Sequence, residues 1–269
     1  MKIGVSINLF NSEELLEQCL QNIRDIADII VVVYSNISNF NTDKKDLKPL
    51  LDELISKKLI DKSIEYIPTF NNCINNGATN EINKRNIALE FLKKNYCNYI
   101  LDMDCDEFYE KEKLMESIKY INYMGYDSAF CNLRTYYKFA DCEIIPLENY
   151  YVPCIYKIQQ NSKFELIEKF NFPVDCDQTR KIKTKYPYVF SRNELEMHHF
   201  SYVRKDIESI TSKYKNSSCI VDYDNLIFNE NINNWENYIK GGLASFSING
   251  KTINFKKTQI VKNLFNIIL

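Results

Sequence analysis

The chain has 269 residues, 45% hydrophobic and 26% charged, ordinary values for a folded domain and enough length for a substantial core. A formal net charge of −2, with six glycines and six prolines, excludes an overall basic footprint for nucleic acid and a collagenous or linker-rich chain. Nine cysteines, an odd number scattered without a Cys-x-x-Cys pair, point to free thiols in a reducing compartment, not to a disulfide framework or a zinc ribbon.

The first residues, Met1 to Phe10, carry one lysine, a short apolar run and no small-residue cleavage site, so they do not read as a signal peptide. No apolar run approaches the ~20 residues of a membrane span. The expectation is a cytoplasmic protein.

Lys2 to Phe10 reads as a strand. Asn11 follows as a helix cap, with Glu14 as its capping-box partner. Leu15, Leu16, Cys19, Leu20, Ile23 and Ile26 then recur at helical spacing. Ile29 to Tyr34 is a β-branched run of the kind buried on both faces of a parallel sheet. A second helix is expected over Lys45 to Lys57, a short strand over Ile64 to Ile67, a third helix over Asn80 to Asn95, and a fourth strand from Asn98. Strand–helix alternation on this scale means βαβ units and a mostly parallel sheet, an α/β fold.

The second half is rich in tyrosine and phenylalanine. Ser245 to Ile248 and Lys251 to Phe255 flank Asn249-Gly250, a two-residue hairpin signal. Lys257 to Leu269, with Ile260, Val261, Leu264, Phe265, Ile268 and Leu269, is expected to be a helix packed on the core or docked on a membrane surface or partner. No linker separates the halves, so a single domain is expected, with a ligand-binding half over 1–110 and a mixed α+β half over 111–269.

The chemistry concentrates in Leu101-Asp102-Met103-Asp104-Cys105-Asp106-Glu107-Phe108. Crowded carboxylates at the end of an apolar strand repel and desolvate one another unless a cation compensates, and hard divalent cations prefer such oxygen clusters. An EF-hand does not fit: its glycine position holds Glu107 and its final glutamate position holds Lys113. In open α/β sheets ligands bind at the carboxyl ends of strands, so an Asp-x-Asp there suits Mg²⁺ or Mn²⁺ holding a diphosphate.

The opening segment Lys2 to Glu14, the segment Lys84-Arg85-Asn86-Ile87-Ala88-Leu89, the run Asp104-Cys105-Asp106-Glu107-Phe108 and the segment Met197 to Arg204 followed by Lys213, taken in order and spacing, resemble GT-A glycosyltransferases of the family-2-like kind. The resemblance is good over the first 110 residues and patchy beyond. It implies a GT-A fold and transfer of a sugar from a nucleotide-sugar donor, a UDP- or GDP-sugar, to a saccharide or lipid-linked saccharide acceptor in capsule or lipooligosaccharide synthesis, at the inner face of the membrane. It departs at Val33-Tyr34-Ser35-Asn36-Ile37-Ser38, where many such enzymes carry an aspartate that reads the nucleobase. Asn36 or a backbone group would take that task.

Under this resemblance Asp104 and Asp106 hold Mn²⁺ or Mg²⁺, with Asp102 in reserve. His199 is the first choice for a histidine ligand, and His198, which on a strand faces the other way, is the structural neighbour. Arg85, Asn86, Arg204 and Lys213 are expected toward the diphosphate, and Asn8 and Asn11 under the nucleoside. An inverting transfer needs a carboxylate base. Asp175 and Asp177 are candidates, with Glu194 and Glu196 as competitors. A sugar nucleotidyltransferase is an alternative, although Gly4 stands without a Gly-rich phosphate loop. A non-catalytic nucleotide-sugar-binding module is another.

Overall fold

The computed structural model describes residues 1–41, 43–70, 76–167, 177–216, 224–248 and 251–269. β1 (Ile3–Leu9) leads to α1 (Glu13–Ile23), β2 (Ile29–Tyr34), α2 (Lys48–Ser56), β3 (Lys62–Glu65), α3 (Asn76–Lys94) and β4 (Tyr99–Asp104). β3, β2, β1 and β4 lie side by side and parallel, with Ile7 opposite both Val32 and Met103. The β-branched run of β2 is buried from Ile30 onward, as expected for a strand covered on both faces. Helix α1 buries Leu15, Leu16, Cys19, Leu20 and Ile23 against the sheet. Gly4 lets α3 come close: a Cβ there would lie 2.6 Å from Leu92 Cδ2.

The helix cap read from the sequence is corrected. The residue preceding α1 is Ser12, in a left-handed conformation (φ 71°) with no side-chain cap bond. Asn11 instead accepts a hydrogen bond from Ser212 Oγ at 3.1 Å.

Beyond β4 come β5 (Glu107–Phe108), α4 (Lys111–Met124), β6 (Ser128–Tyr137), β7 (Cys142–Ile145), β8 (Tyr151–Lys157), β9 (Pro187–Val189) and β10 (Glu196–Tyr202). β8 continues the sheet antiparallel to β4, and β6 lies antiparallel to β8. β10 runs parallel to β6 and antiparallel to β5. The fold is a mixed α/β architecture, a central mostly parallel sheet flanked by helices and extended by an antiparallel half.

Helices α5 (Ile207–Lys215) and α6 (Asn225–Glu236) precede the hairpin of β11 (Leu243–Ile248) and β12 (Thr252–Ile260). The turn residues Asn249 and Gly250 lie outside the described residues. The expected helix over Lys257 to Leu269 is also corrected. β12 runs to Ile260, pairing with Glu143 and its neighbours in β7, and residues 261–269 form a non-helical segment. The apolar spacing that suggested a helix belongs to an alternating strand followed by a tail whose Phe265 and Ile267 turn into the core. An amphipathic membrane helix is therefore not formed there, and no helix among the described residues is long and apolar enough to cross a membrane.

Cys19, Cys97, Cys105, Cys131, Cys142 and Cys154 are free and buried. Burial pushes the Cys19 and Cys105 thiols well up, so they pack as small hydrophobes.

Candidate active site

A cavity of about 270 Å³ opens at the carboxyl ends of β1 and β4, the place where an open α/β sheet binds ligands. Four segments build it. β1 and the turn after it supply Asn8, Phe10, Asn11 and Ser12; α3 supplies Glu81 and Lys84; the β4–β5 turn supplies Asp104 to Glu107; β10 and α5 supply His199 and Lys213. Asp177 and Arg180 close one side, and Leu133, Tyr150, Val152 and Met197 give it an apolar wall.

The register of β10 explains the histidines. His198 pairs with Phe108 and His199 with Glu107, and neighbouring strand residues face opposite ways. His199 therefore lines the cavity, with Nε2 3.8 Å from Asp106 Oδ1. His198 is buried behind it, its Nδ1 2.8 Å from the Tyr136 hydroxyl and its Nε2 without a partner. Burial lowers the pKa of both rings, His198 to about 4. Both are neutral near pH 7.

The carboxylates are already partnered by arginines. Asp104 takes Arg85 on Oδ1 at 3.1 Å and Arg180 on Oδ2 at 2.8 Å. Burial would raise its pKa, but Arg180 and then Arg85 outweigh that and hold it below the ordinary value. Asp106 Oδ2 accepts from Arg204 at 2.8 Å and from Ser12 Oγ at 3.1 Å. Burial is opposed there by the charges of His199, Arg204 and Lys213, and the net shift is downward. With His199 neutral, Arg204 is the standing counter-charge. Glu107 binds Arg180 through both oxygens and accepts from the Asp104 amide at 2.9 Å, yet burial raises its pKa to about 8.

Several residues read as ligand contacts are thus spent inside the protein. Arg85 is 1% exposed and donates to Asp102 at 2.5 Å as well as to Asp104, so it faces the carboxylates and not the cavity. Asp102 is fully buried between Arg85 and Ser6, its pKa raised chiefly by burial. Asn86 exchanges two hydrogen bonds with the Phe164 backbone, tying α3 to the chain beyond β8. Asn36 donates to Glu65 and accepts from the Leu47 amide, outside the cavity lining. Arg204 is buried behind Asp106, also donating to the carbonyls of Phe200 and Val203. Of the base candidates, Asp177 lines the cavity, with its carboxylate on Thr179 and 3.2 Å from Arg180 Nε. Asp175 lies outside the described residues. Glu194 caps the Ser191 turn, and Glu196 is held by Arg134 and Arg192.

Sequence reading missed four contributors. Arg180, 3% exposed, is the hub of the acidic turn. Lys84, 2% exposed, lines the cavity with no hydrogen bond or ion pair among the described residues, and burial lowers its pKa. Glu81, one turn earlier on α3, is likewise unpaired, with a pKa raised by burial. Asn39, 8% exposed, turns a partnerless carboxamide oxygen into a buried position on the cavity wall, as does Asn8. The signal for Lys84 and Glu81 was their i, i+3 spacing, which puts both on one helix face.

A hard divalent cation can be held by Asp106 Oδ1 and His199 Nε2. The carboxylate is ionised and the imidazole neutral, the states a ligand needs. Among the described residues no three His, Cys, Asp or Glu groups come together as a cage, so phosphate oxygens and water would fill the other positions, as is common for Mg²⁺.

No protein-family model matches the chain, and no curated protein matches it. Solved structures of S. aureus TarS are similar in part. One, of TarS 1–349, covers 79% of this chain and 63% of its own, at 16% identity and TM-score 0.47. Another, in complex with UDP, covers 50% and 36% at 18% identity and TM-score 0.36. A third, in complex with UDP-GlcNAc, covers 50% and 35% at 16% identity and TM-score 0.35. This chain spans less than two thirds of the length of each, and similarity at that level assigns no activity.

Proposed function

We propose that the chain is a glycosyltransferase of GT-A type that binds a nucleotide-sugar donor, a UDP- or GDP-sugar, in the cavity beyond β1 and β4 and transfers its sugar to a saccharide or lipid-linked saccharide acceptor. The observation that supports this most is the pairing of an ionised carboxylate with a neutral imidazole, Asp106 and His199, in a cavity that also holds Lys213 and the Lys84 ammonium, which has no ion pair among the described residues. Charge of this kind suits a diphosphate leaving group, whose negative charge grows as the glycosidic bond breaks.

Mn²⁺ or Mg²⁺ at Asp106 and His199 would neutralise that growing charge. Lys84 and Lys213 add fixed positive charge beside it. Asn8 and Asn39 offer acceptor oxygens to N–H or O–H groups of the nucleoside. Asp177, the base candidate that lines the cavity, would take a proton from an acceptor hydroxyl, and the apolar wall of Leu133, Tyr150 and Met197 suits the face of a sugar ring. Work on surface polysaccharide is the setting this reading favours.

Calorimetric titration of UDP and GDP, with and without Mn²⁺, is the test. Nucleotide binding that tightens with Mn²⁺ and is lost in Asp106→Asn supports the reading. Equal binding by that variant would sink it. Metal-linked binding without hydrolysis or transfer of any donor would instead leave a nucleotide-sugar-binding module.

A further inference from the structure

Residues 261–269 run across the back of the strands that hold the candidate cation ligands. The segment is anchored where the Val261 amide donates to the Asp141 carbonyl at 2.8 Å. It is folded on itself by Asn263, whose carboxamide donates to the Ile267 carbonyl at 2.9 Å and accepts from the Ile267 amide at 3.1 Å. This clasp points Phe265 inward. Its ring centroid lies 4.9 Å from that of His198, 5.3 Å from Phe108 and 6.0 Å from Phe200.

Each of those neighbours touches the site through one covalent or backbone link. Phe108 follows Glu107 at the end of the acidic turn. His198 and Phe200 flank His199. The Phe200 amide donates to the Asp106 carbonyl at 2.8 Å, so the ring packed on Phe265 and the ligand Asp106 belong to one backbone contact. Ile267, 5% exposed, lines a second cavity together with Val203 and Arg204, behind the guanidinium that holds Asp106.

We infer that Phe265 is a positioning residue: packed across β5 and β10, it fixes the separation of Asp106 and His199 and so the geometry of the cation and donor site. The inference rests on the donor-binding reading above. The physical reason is that a two-residue strand such as β5 has few ladder bonds of its own, and its placement must come from side-chain packing on the face away from the cavity. An aromatic ring packed on side chains of both paired strands resists their sliding, because edge-to-face contacts such as those with His198 and Phe200 favour one arrangement over its neighbours. A small displacement of a positioned ligand is costly: about 1 Å can lose on the order of a hundredfold in function.

The test exploits the chain's two histidines, whose ring proton signals can be followed in the NMR spectrum of the full chain. In the unaltered protein Mn²⁺ should broaden the His199 signal first, and UDP or GDP should bind more tightly with Mn²⁺ by calorimetry. Phe265→Ala should weaken both Mn²⁺ broadening and Mn²⁺-linked nucleotide binding by about tenfold or more, with Phe265→Leu in between. Phe246→Ala is the control. It removes a partly buried ring packed 5.0 Å from Tyr202 and 5.6 Å from Tyr137, and should lower the melting temperature without touching the His199 signal. Phe265→Ala that remains folded and binds Mn²⁺ and nucleotide within about twofold of the unaltered protein overturns the inference alone. A loss matched by Phe246→Ala overturns it too, since the effect would then be general destabilisation. Absence of Mn²⁺-linked binding in the unaltered protein overturns the donor reading and this inference with it.

Discussion

His199 Nε2 stands 3.8 Å from Asp106 Oδ1 because β10 pairs antiparallel with β5, His199 opposite Glu107. Arg204 holds the other oxygen of Asp106 from behind at 2.8 Å. One carboxylate is therefore divided between an internal guanidinium and a cavity-facing imidazole.

Removing Arg180 should be severe. Arg180→Met leaves the buried Glu107, and the partly exposed Asp104 and Asp177, without this counter-charge, and breaking a buried ion pair from one side costs about 3–5 kcal/mol. Urea denaturation of the variant measures it. A loss below about 1 kcal/mol would show that the turn relaxes into solvent.

Lys84 should behave in the opposite way. A buried ammonium without a partner costs stability that a methionine would not. Lys84→Met is expected to melt at or above the temperature of the unaltered protein, while nucleotide affinity falls about tenfold through loss of a charge-assisted contact. A variant that is destabilised and binds UDP and GDP normally contradicts this role.

Acid should weaken the fold through His198. The folded state holds His198 at about 4, against about 6.5 for an unfolded histidine. At this site the native protein binds fewer protons than the unfolded chain, and the stability this histidine supplies above pH 6.5 is lost as pH falls toward 4. The difference is worth about 3 kcal/mol at full protonation. Denaturant midpoints of the unaltered protein and His198→Gln, compared at pH 7 and pH 4.5, read it. An equal acid loss in both proteins would assign the effect elsewhere.

Close packing of α3 on β1 gives a fourth expectation. Gly4→Ala places a Cβ 2.6–2.7 Å from the two Leu92 methyls, and overpacking of this kind costs about 1–3 kcal/mol. Thermal melting should show the loss. Leu92→Ala in the same chain should recover part of it, and additive losses would mean that the two sites do not meet.

Local pattern alone marked out the parallel half of the fold. In β2 the run Ile29 to Tyr34 has one stable use, a strand covered on both faces, and the helical spacing of Leu15, Leu16, Cys19, Leu20 and Ile23 has one buried stripe. The hairpin of β11 and β12 was equally legible from its turn signal. Residues 257–269 were misread because a short apolar segment fits both periods, and the pairing of Gln259 with Glu143 in β7, a long-range contact, decided for strand. Sequence alone also singled out Asp104, Asp106 and His199 as residues of interest, since an Asp-x-Asp after an apolar strand and a pair of scarce histidines are local facts.

What each charge does with its neighbours was settled by tertiary structure. Arg85 and Arg204 look from the sequence like free cations, yet the side chain of each lies 1% exposed against carboxylates of β4 and the turn after it. Lys84 looks like a surface lysine and is buried, with no ion pair among the described residues. A side chain's residue type fixes its charge, but whether that charge is spent internally or left facing a cavity depends on which partners the folded sheet brings within reach.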